Sequence, residues 1–260
     1  MEQDTQWMGR TRLLAGDEGI DKLIKANVLI VGLGGVGSYA AEAICRAGVG
    51  HITIVDGDIV DATNRNRQLP ALKSTEGLSK AELMYARLLD INPDCELTMI
   101  NQFMKIDDMK DLVINGKFDY VIDAIDSITP KLTLISTCVF NNIKLISSMG
   151  AGGKVDPTQI LVQDISYSYN CNLAHYVRKR LRKLGISSGV RVVFSTELAE
   201  MSSLMITDGS NFKKSAFGTI SYMPAVFGLT CASVVIRDLL GRKVKNNKVD
   251  RPEQFLAVKK

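Results

Sequence analysis

No feature constrains this chain more than the stretch VLIVGLGGVGSYAAEAICRAGVGHITIVDGD, residues 28–58. A short apolar run ends in glycines at 32, 34, 35 and 37. A helix-like run of small residues follows, and a second apolar run closes on Asp56. Strand, glycine turn, helix and a strand ending in a carboxylate form one unit of a nucleotide-binding α/β sheet. Gly32 permits the tight turn, Gly34 lets backbone approach a phosphate, and Gly37 lets helix pack on strand. The helix that starts there aims its first amides and positive dipole end at any anion in the loop. Asp56 is placed to bond ribose hydroxyls. Taken alone, the loop fits NAD and ATP equally well.

The same rhythm continues downstream. LSKAELMYARLLDINP is an amphipathic helix closed by Pro93, and LTMINQF a third strand. DYVIDAID, TPKLTLISTCVFNN and KLISSMG then repeat strand, helix, strand. This alternation predicts an α/β fold: a Rossmann-like, mostly parallel sheet with helices on both faces. After GAGGK (150–154) the texture changes, and antiparallel strands are expected to extend the sheet in the C-terminal part. QILVQDIS and RVVFSTE have strand character, and NLAHYVRKRLRKLG is a basic helix. SSLMITDGSNFKKSAFG reads as a long loop, and GTISYMPAVFGLTCASVVIRDLLG as a strand and an apolar helix. One domain over 1–260 is expected, with a nucleotide-binding half at 1–150, a substrate half at 151–245 and a polar tail at 246–260.

The residues after Asp56 choose between the two nucleotides. A nicotinamide needs an apolar surface, and it has no use for Asn64, Arg65, Arg67 and Gln68 of NRNRQ, or for Lys80 of GLSKAE. Cations and amide donors crowded behind a nucleotide suit negative charge developing at phosphorus. Asp123 and Asp126 of DAIDS end the fourth strand, where open α/β sheets place ligands. One carboxylate there can hold the magnesium ion that accompanies a nucleotide. Asp126 is favoured, because Asp123 lies one pleat back and can instead anchor backbone amides.

Charge and cysteine usage narrow the classes further. The net charge of +4 does not force nucleic-acid binding, but its distribution is uneven. Arg178, Lys179, Arg180, Arg182 and Lys183 fall within six positions, a patch that nucleic-acid phosphates would bind by counterion release. The five cysteines are far apart with no C-x-x-C pair, which argues against a disulfide framework and against zinc. No uninterrupted run of eighteen apolar residues occurs, and the N-terminus lacks a signal-peptide pattern. A cytoplasmic protein with reduced thiols and no membrane partner is expected.

RTRLLAG, GLGGVGS, DGD, NRNRQ, GLSKAE, DAIDS and GAGG together resemble the adenylating superfamily of ubiquitin-activating enzymes and their bacterial ThiF/HesA relatives. Members use ATP to activate a carboxylate as an acyl-adenylate. The resemblance implies that Gly32, Gly34, Gly35, Gly37, Asp56 and Asp58 surround ATP, that Asn64, Arg67 and Lys80 contact its phosphates, and that Asp126 binds Mg2+. It implies a homodimer in which Arg10 of one protomer reaches its partner's site. GAGGKVDPTQILVQDIS, NLAHYVRKRLRK, VVFSTE and GTISYMPAVFG, with no zinc-type cysteine pairs, are similar to the branch that dehydrates threonylcarbamoyladenosine in tRNA. On that resemblance tRNA is a partner, the 151–245 half carries tRNA and dimer contacts, and a sulfur-transfer protein is admitted as a further partner.

In that chemistry the substrate's carboxylate attacks the α-phosphorus of ATP, and its own carbamoyl group then displaces AMP. Ring closure is intramolecular, so no enzyme nucleophile is required. Cys171 is then expected to be a small side chain at a loop–helix junction. Glu197 is either a base, a tRNA contact or a strand-end packing residue. The alternative function is an adenylyltransferase acting on a sulfur-carrier protein's C-terminus; a nicotinamide oxidoreductase and a non-catalytic nucleotide sensor stand further off.

Overall fold

A computed structural model of the chain describes residues 5–206 and 215–242. In chain order the elements are α1 (Gly9–Lys25), β1 (Asn27–Val31), α2 (Gly37–Arg46), β2 (His51–Val55), α3 (Lys80–Ile91), β3 (Glu96–Ile100), α4 (Ile106–Asn115) and β4 (Tyr120–Asp123). They continue with α5 (Ile128–Phe140), β5 (Leu145–Ser148), β6 (Ile160–Asp164), α6 (Asn172–Lys183), β7 (Arg191–Ser195), β8 (Leu204–Ile206), β9 (Ser215–Phe217) and α7 (Tyr222–Leu239).

Seven strands form one sheet in the order β3-β2-β1-β4-β5-β7-β6. All neighbours are parallel except β6, which runs antiparallel to β7. The chain winds outward from β1 through β2 to β3, then restarts at β4 on the other side. The crevice between the carboxyl ends of β1 and β4 is therefore a topological switch point, where such sheets take ligands.

Strands covered on both faces need apolar residues at successive positions, and β1 supplies them. Val28 and Ile30 join one core layer with Ile44, Ile54, Met84 and Phe227 from α2, β2, α3 and α7. Leu29 and Val31 face the other, with Val113, Leu134, Val177 and Phe194 from α4, α5, α6 and β7. Full burial of such side chains stabilises the fold by about 1.5–3 kcal/mol each. α7 is long and apolar enough, at mean hydropathy 1.3, to cross a membrane. Its apolarity is used in the core, where Met223, Phe227, Cys231 and Val235 are buried.

The structure departs from the sequence pattern in four places. Two helices form where no element was expected. α1 breaks at Gly16 (φ 74°), which interrupts any apolar period. α4 buries only Met109 and Val113, too few residues to announce a face. The 202–218 stretch, expected as a loop, contains β8 and β9 paired antiparallel. The strand expected in GTISY instead lies just before it, at Ser215–Phe217, and the helix starts at Tyr222. The expected tail at 246–260 lies outside the described residues.

Candidate active site

The glycine loop joins β1 to α2, and its glycines have different reasons for being there. Gly32 has φ 92°, and a Cβ on it would stand 2.9 Å from the Ala124 carbonyl oxygen. A Cβ on Gly37 would meet the Gly32 carbonyl oxygen at 1.7 Å, so helix and strand pack without room for a side chain. Gly35 is closed off by Pro224 at 2.9 Å, where α7 begins. Gly34 is the exception: its nearest neighbour would be the Gln68 amide nitrogen at 3.8 Å. Packing does not require glycine at 34, and the space there is what a phosphate against bare backbone needs.

Asp56 ties the loop to the second strand. Its Oδ2 accepts the Leu33 N–H at 2.5 Å, and its Oδ1 accepts the Asp58 N–H at 2.8 Å. Burial pushes its pKa above the usual carboxylate range, and those two bonds and the nearby Lys80 ammonium counteract part of the rise. Lys80 opens α3 behind the N-cap Ser79 and is buried at 4% exposure. Its ammonium donates to Asp58 Oδ2 at 3.0 Å, and its backbone N–H to the Asp58 carbonyl at the same distance.

The NRNRQ turn forms the opposite wall. Asp61 caps a short 3-10 turn at Ala62–Asn64, and Asn64 Oδ1 returns a bond to the Asp61 N–H. Arg67 is half-buried, with Nη1 donating to the Thr63 carbonyl and Asn66 Oδ1 at 2.9 and 2.8 Å. The Arg67 carbonyl lies 3.3 Å from where a Gly35 Cβ would stand, so the turn rests on the loop. Arg65 pairs with Glu76 at 3.3 Å. Sequence reasoning gave Gln68 no role of its own. The structure turns it toward Gly34 with its Oε1 buried and without a partner among the described residues.

At the end of β4 the two aspartates separate. Asp123 is fully buried and accepts the Ile125 N–H at 3.0 Å, while Asp126 is exposed beyond the turn. Asp123 also accepts from Lys131 Nζ at 2.7 Å and Ser147 Oγ at 2.6 Å. The buried Lys131 was not foreseen. Its place nine residues into DAIDSITPK marks no motif that the nucleotide chemistry requires.

The second half adds a clasp and a basic helix. Lys154 is 3% exposed and donates to the carbonyls of Asn170 (3.2 Å), Ser195 (3.4 Å) and Glu197. Burial lowers its pKa. Glu197 accepts the backbone N–H groups of Val155 and Asp156 at 3.0 and 2.9 Å, a packing duty at the end of β7. Cys171 is the buried N-cap of α6, its Sγ 3.5 Å from the Ala174 nitrogen. Lys179, Arg180, Arg182 and Lys183 are exposed. Arg178 corrects the sequence expectation: it is 7% exposed and donates to the Ser168 carbonyl and hydroxyl at 2.9 and 2.5 Å. The 3.6-residue period turns that one cation inward with Ala174, Val177 and Leu181. Arg10 is exposed on α1.

A glycine cradle at the switch point, with Asp56, Lys80 and Asp126 at strand and helix ends around it, is the frame of a nucleotide-dependent enzyme. Residues 8–257 match the model of the ThiF family. The chain belongs to that family. It is 43% identical over 238 residues to tRNA threonylcarbamoyladenosine dehydratase of Bacillus subtilis, covering 89% of this chain and 93% of the relative. A crystal structure of the Escherichia coli tRNA N6-threonylcarbamoyladenosine dehydratase in complex with ATP superimposes with a TM-score of 0.82 at 38% identity, over 91% of this chain and 94% of that one. The Escherichia coli sulfur carrier protein ThiS adenylyltransferase is 36% identical over 142 residues, 53% of this chain and 55% of that protein.

Proposed function

We propose that this ThiF-family chain is an ATP-dependent dehydratase of threonylcarbamoyladenosine in tRNA. The observation that carries the reading is the extent of the likeness to such enzymes. It runs through the substrate half, whereas the likeness to the sulfur-carrier adenylyltransferase spans about half the chain. The geometry fits ATP as co-substrate. Gly34 leaves room for a phosphate, the Gln68 amide nitrogen stands beside that space as a donor, and Lys80 supplies positive charge.

Asp56 faces the ribose, while Gly32, Gly34, Gly35 and Gly37 and the first turn of α2 hold phosphate oxygens. Asn64, Arg67 and Lys80 then stabilise charge on the triphosphate as the substrate carboxylate attacks the α-phosphorus. Pyrophosphate leaves, the carbamoyl group attacks the activated carbonyl, and AMP departs with one carboxylate oxygen. The arm has thereby lost water. Magnesium commonly binds through one or two carboxylates plus substrate phosphates, so the exposed carboxylate of Asp126 at the switch point fits it. The ion would neutralise phosphate charge.

The exposed cations of α6 (Lys179, Arg180, Arg182 and Lys183) serve as a track for tRNA phosphates. A homodimer, in which Arg10 crosses to the partner's site, and a cytoplasmic location beside tRNA complete the reading. The test is direct. Purified protein with ATP and magnesium should convert threonylcarbamoyladenosine in tRNA to a product lighter by one water, releasing AMP and pyrophosphate. Asp126→Ala should be about a hundredfold slower or worse with its fold intact. Activation of a carrier protein's C-terminus, with tRNA untouched, would overturn the assignment.

A further inference from the structure

Asp123 and Lys131 form an ion pair in which both side chains are 0% exposed. All three ammonium hydrogens are used: Asp123 Oδ2 at 2.7 Å, Ser147 Oγ at 3.1 Å and the Ser148 carbonyl at 3.0 Å. A buried pair of this kind is weak evidence for net stability, because desolvation cancels most of the attraction. Its geometry offers another use. One ammonium ties the carboxyl end of β4 to that of β5, and Asp123 passes the constraint on.

Asp123 Oδ1 accepts the Ile125 N–H, which turns the chain outward after the strand. One residue beyond stands Asp126, exposed. The segment is held by β1 as well, since the Ala124 N–H donates to the Val31 carbonyl at 2.9 Å and the Ala124 carbonyl oxygen packs against Gly32, leaving no room for a Cβ there. The turn is thus fixed between the buried ion pair and the carboxyl end of β1, next to the phosphate loop. We propose that Lys131 is a positioning residue for the nucleotide site: through Asp123 and the Ile125 N–H it fixes the turn that presents Asp126 to the metal-bound triphosphate. This rests on the assignment of Asp126 as the magnesium carboxylate.

Lys131→Met alone would leave Asp123 buried and uncompensated and so risks unfolding. The double variant Asp123→Asn/Lys131→Met is neutral and avoids that. Calorimetric ATP titrations with magnesium and with EDTA, alongside thermal melts, read the effect. In the double variant a cooperative melt and metal-free ATP affinity should persist, while the gain in affinity from magnesium falls about tenfold, a change of the size that one lost charge-assisted contact produces. A folded double variant with the full magnesium gain would overturn the proposal and leave Lys131 as mere charge balance. Should the double variant fail to fold, Lys131→Arg carries the same measurement. It keeps the charge but crowds a site with no exposed surface, and a full magnesium gain there would equally overturn the idea. Asp126→Ala, run in parallel, separates the two assignments. If it keeps the full gain, the magnesium reading of Asp126 fails and takes this proposal with it. If it loses the gain while the Lys131 variants keep theirs, the Lys131 proposal alone fails.

Discussion

The Lys80 ammonium lies 3.0 Å from the Asp58 carboxylate, with the lysine side chain 5% exposed and the aspartate 54%. A buried cation is thus parked against a solvent-facing partner two residues beyond Asp56. Because the Lys80 backbone is also bonded to the Asp58 carbonyl, the ammonium is held in place before any phosphate arrives. Such pre-placed charge is the kind that stabilises a transition state without reorganisation. Lys80→Ala should therefore slow adenylation by about a hundredfold or more, measured as tRNA-dependent ATP–pyrophosphate exchange. Lys80→Arg should not rescue it, since so enclosed a site has no space for a planar guanidinium.

The glycines of the loop separate into packing and binding roles. Gly37→Ala drives a methyl against the Gly32 carbonyl oxygen at 1.7 Å, and overpacking on rigid backbone should cost about 3 kcal/mol or more. Gly34→Ala meets nothing closer than 3.8 Å, so its melting temperature should stay close to that of the parent. Its ATP affinity should nevertheless fall at least about tenfold, because the methyl occupies phosphate space. Thermal melts with and without ATP would distinguish the two. An unstable Gly34→Ala, or one that binds ATP normally, would contradict this division.

These two sites show why part of the molecule could be read from sequence and part could not. The glycine loop, Asp56 and the DAIDS strand end were legible because backbone conformation and ligand approach restrict the residue type at fixed offsets. Asp123 closes β4 inside the core, and Asp126 lies three residues on, outside the strand. Lys131, Lys154 and the inward Arg178 were not legible. The two lysines are buried by contacts with segments further along the chain, Lys131 with Ser147 and Lys154 with Ser195, while Arg178 is turned in against Ser168 by the face of α6 on which it lies. The basic run RKRLRK looked uniform until the helical period assigned its first cation to the core. The β8–β9 pair was hidden for a similar reason, since two three-residue strands carry too little alternation to be seen.

That inward turn makes the basic helix testable residue by residue. Arg180→Glu/Arg182→Glu should leave the melt and ATP binding unchanged but weaken tRNA binding. The salt dependence of tRNA affinity should become shallower, because fewer counterions are released. Arg178→Ala should behave differently, destabilising the fold by about 2–4 kcal/mol as the Ser168 carbonyl and hydroxyl lose their donor. Equal effects of the two variants on tRNA, with equal stability, would show that Arg178 reaches the surface.

The buried thiols give a pH dependence with a definite sign. Burial pushes the Cys45, Cys138 and Cys231 thiols from an ordinary 9.0 up to about 12, and Cys95 to about 11. The folded state therefore keeps protons that the unfolded chain releases. This contribution is fully present below pH 9 and is lost as pH rises from there toward 11–12, by about 1 kcal/mol for each thiol at pH 10. At pH 8 only about one in ten thousand of the thiols at 12 is ionised, so alkylation should wait for unfolding. Rapid labelling of native protein at Cys45, Cys138 or Cys231 would contradict the burial. Cys171→Ala should keep most activity, since the substrate carries its own second nucleophile; a dead variant together with a trapped adduct would refute that.

The N-terminal arm yields the test of the dimer. Arg10 is exposed on the first turns of α1, and Leu13 and Leu14 beside it are 90% and 72% exposed, an apolar surface that one protomer does not cover. The break at Gly16 sets this segment apart from the rest of α1, where Ile20 and Leu23 enter the core. A two-fold dimer would cover the leucines and carry each arginine to the partner's triphosphate, where a guanidinium makes two parallel hydrogen bonds. Arg10→Ala and Lys80→Ala should then each be inactive alone. Mixed and allowed to exchange subunits, they should recover activity, because a heterodimer has one site with both groups intact. If Arg10 acted within its own chain, every site in the heterodimer would lack one group and the mixture would stay dead. Sedimentation of an active, strictly monomeric enzyme would end the idea without any mixing.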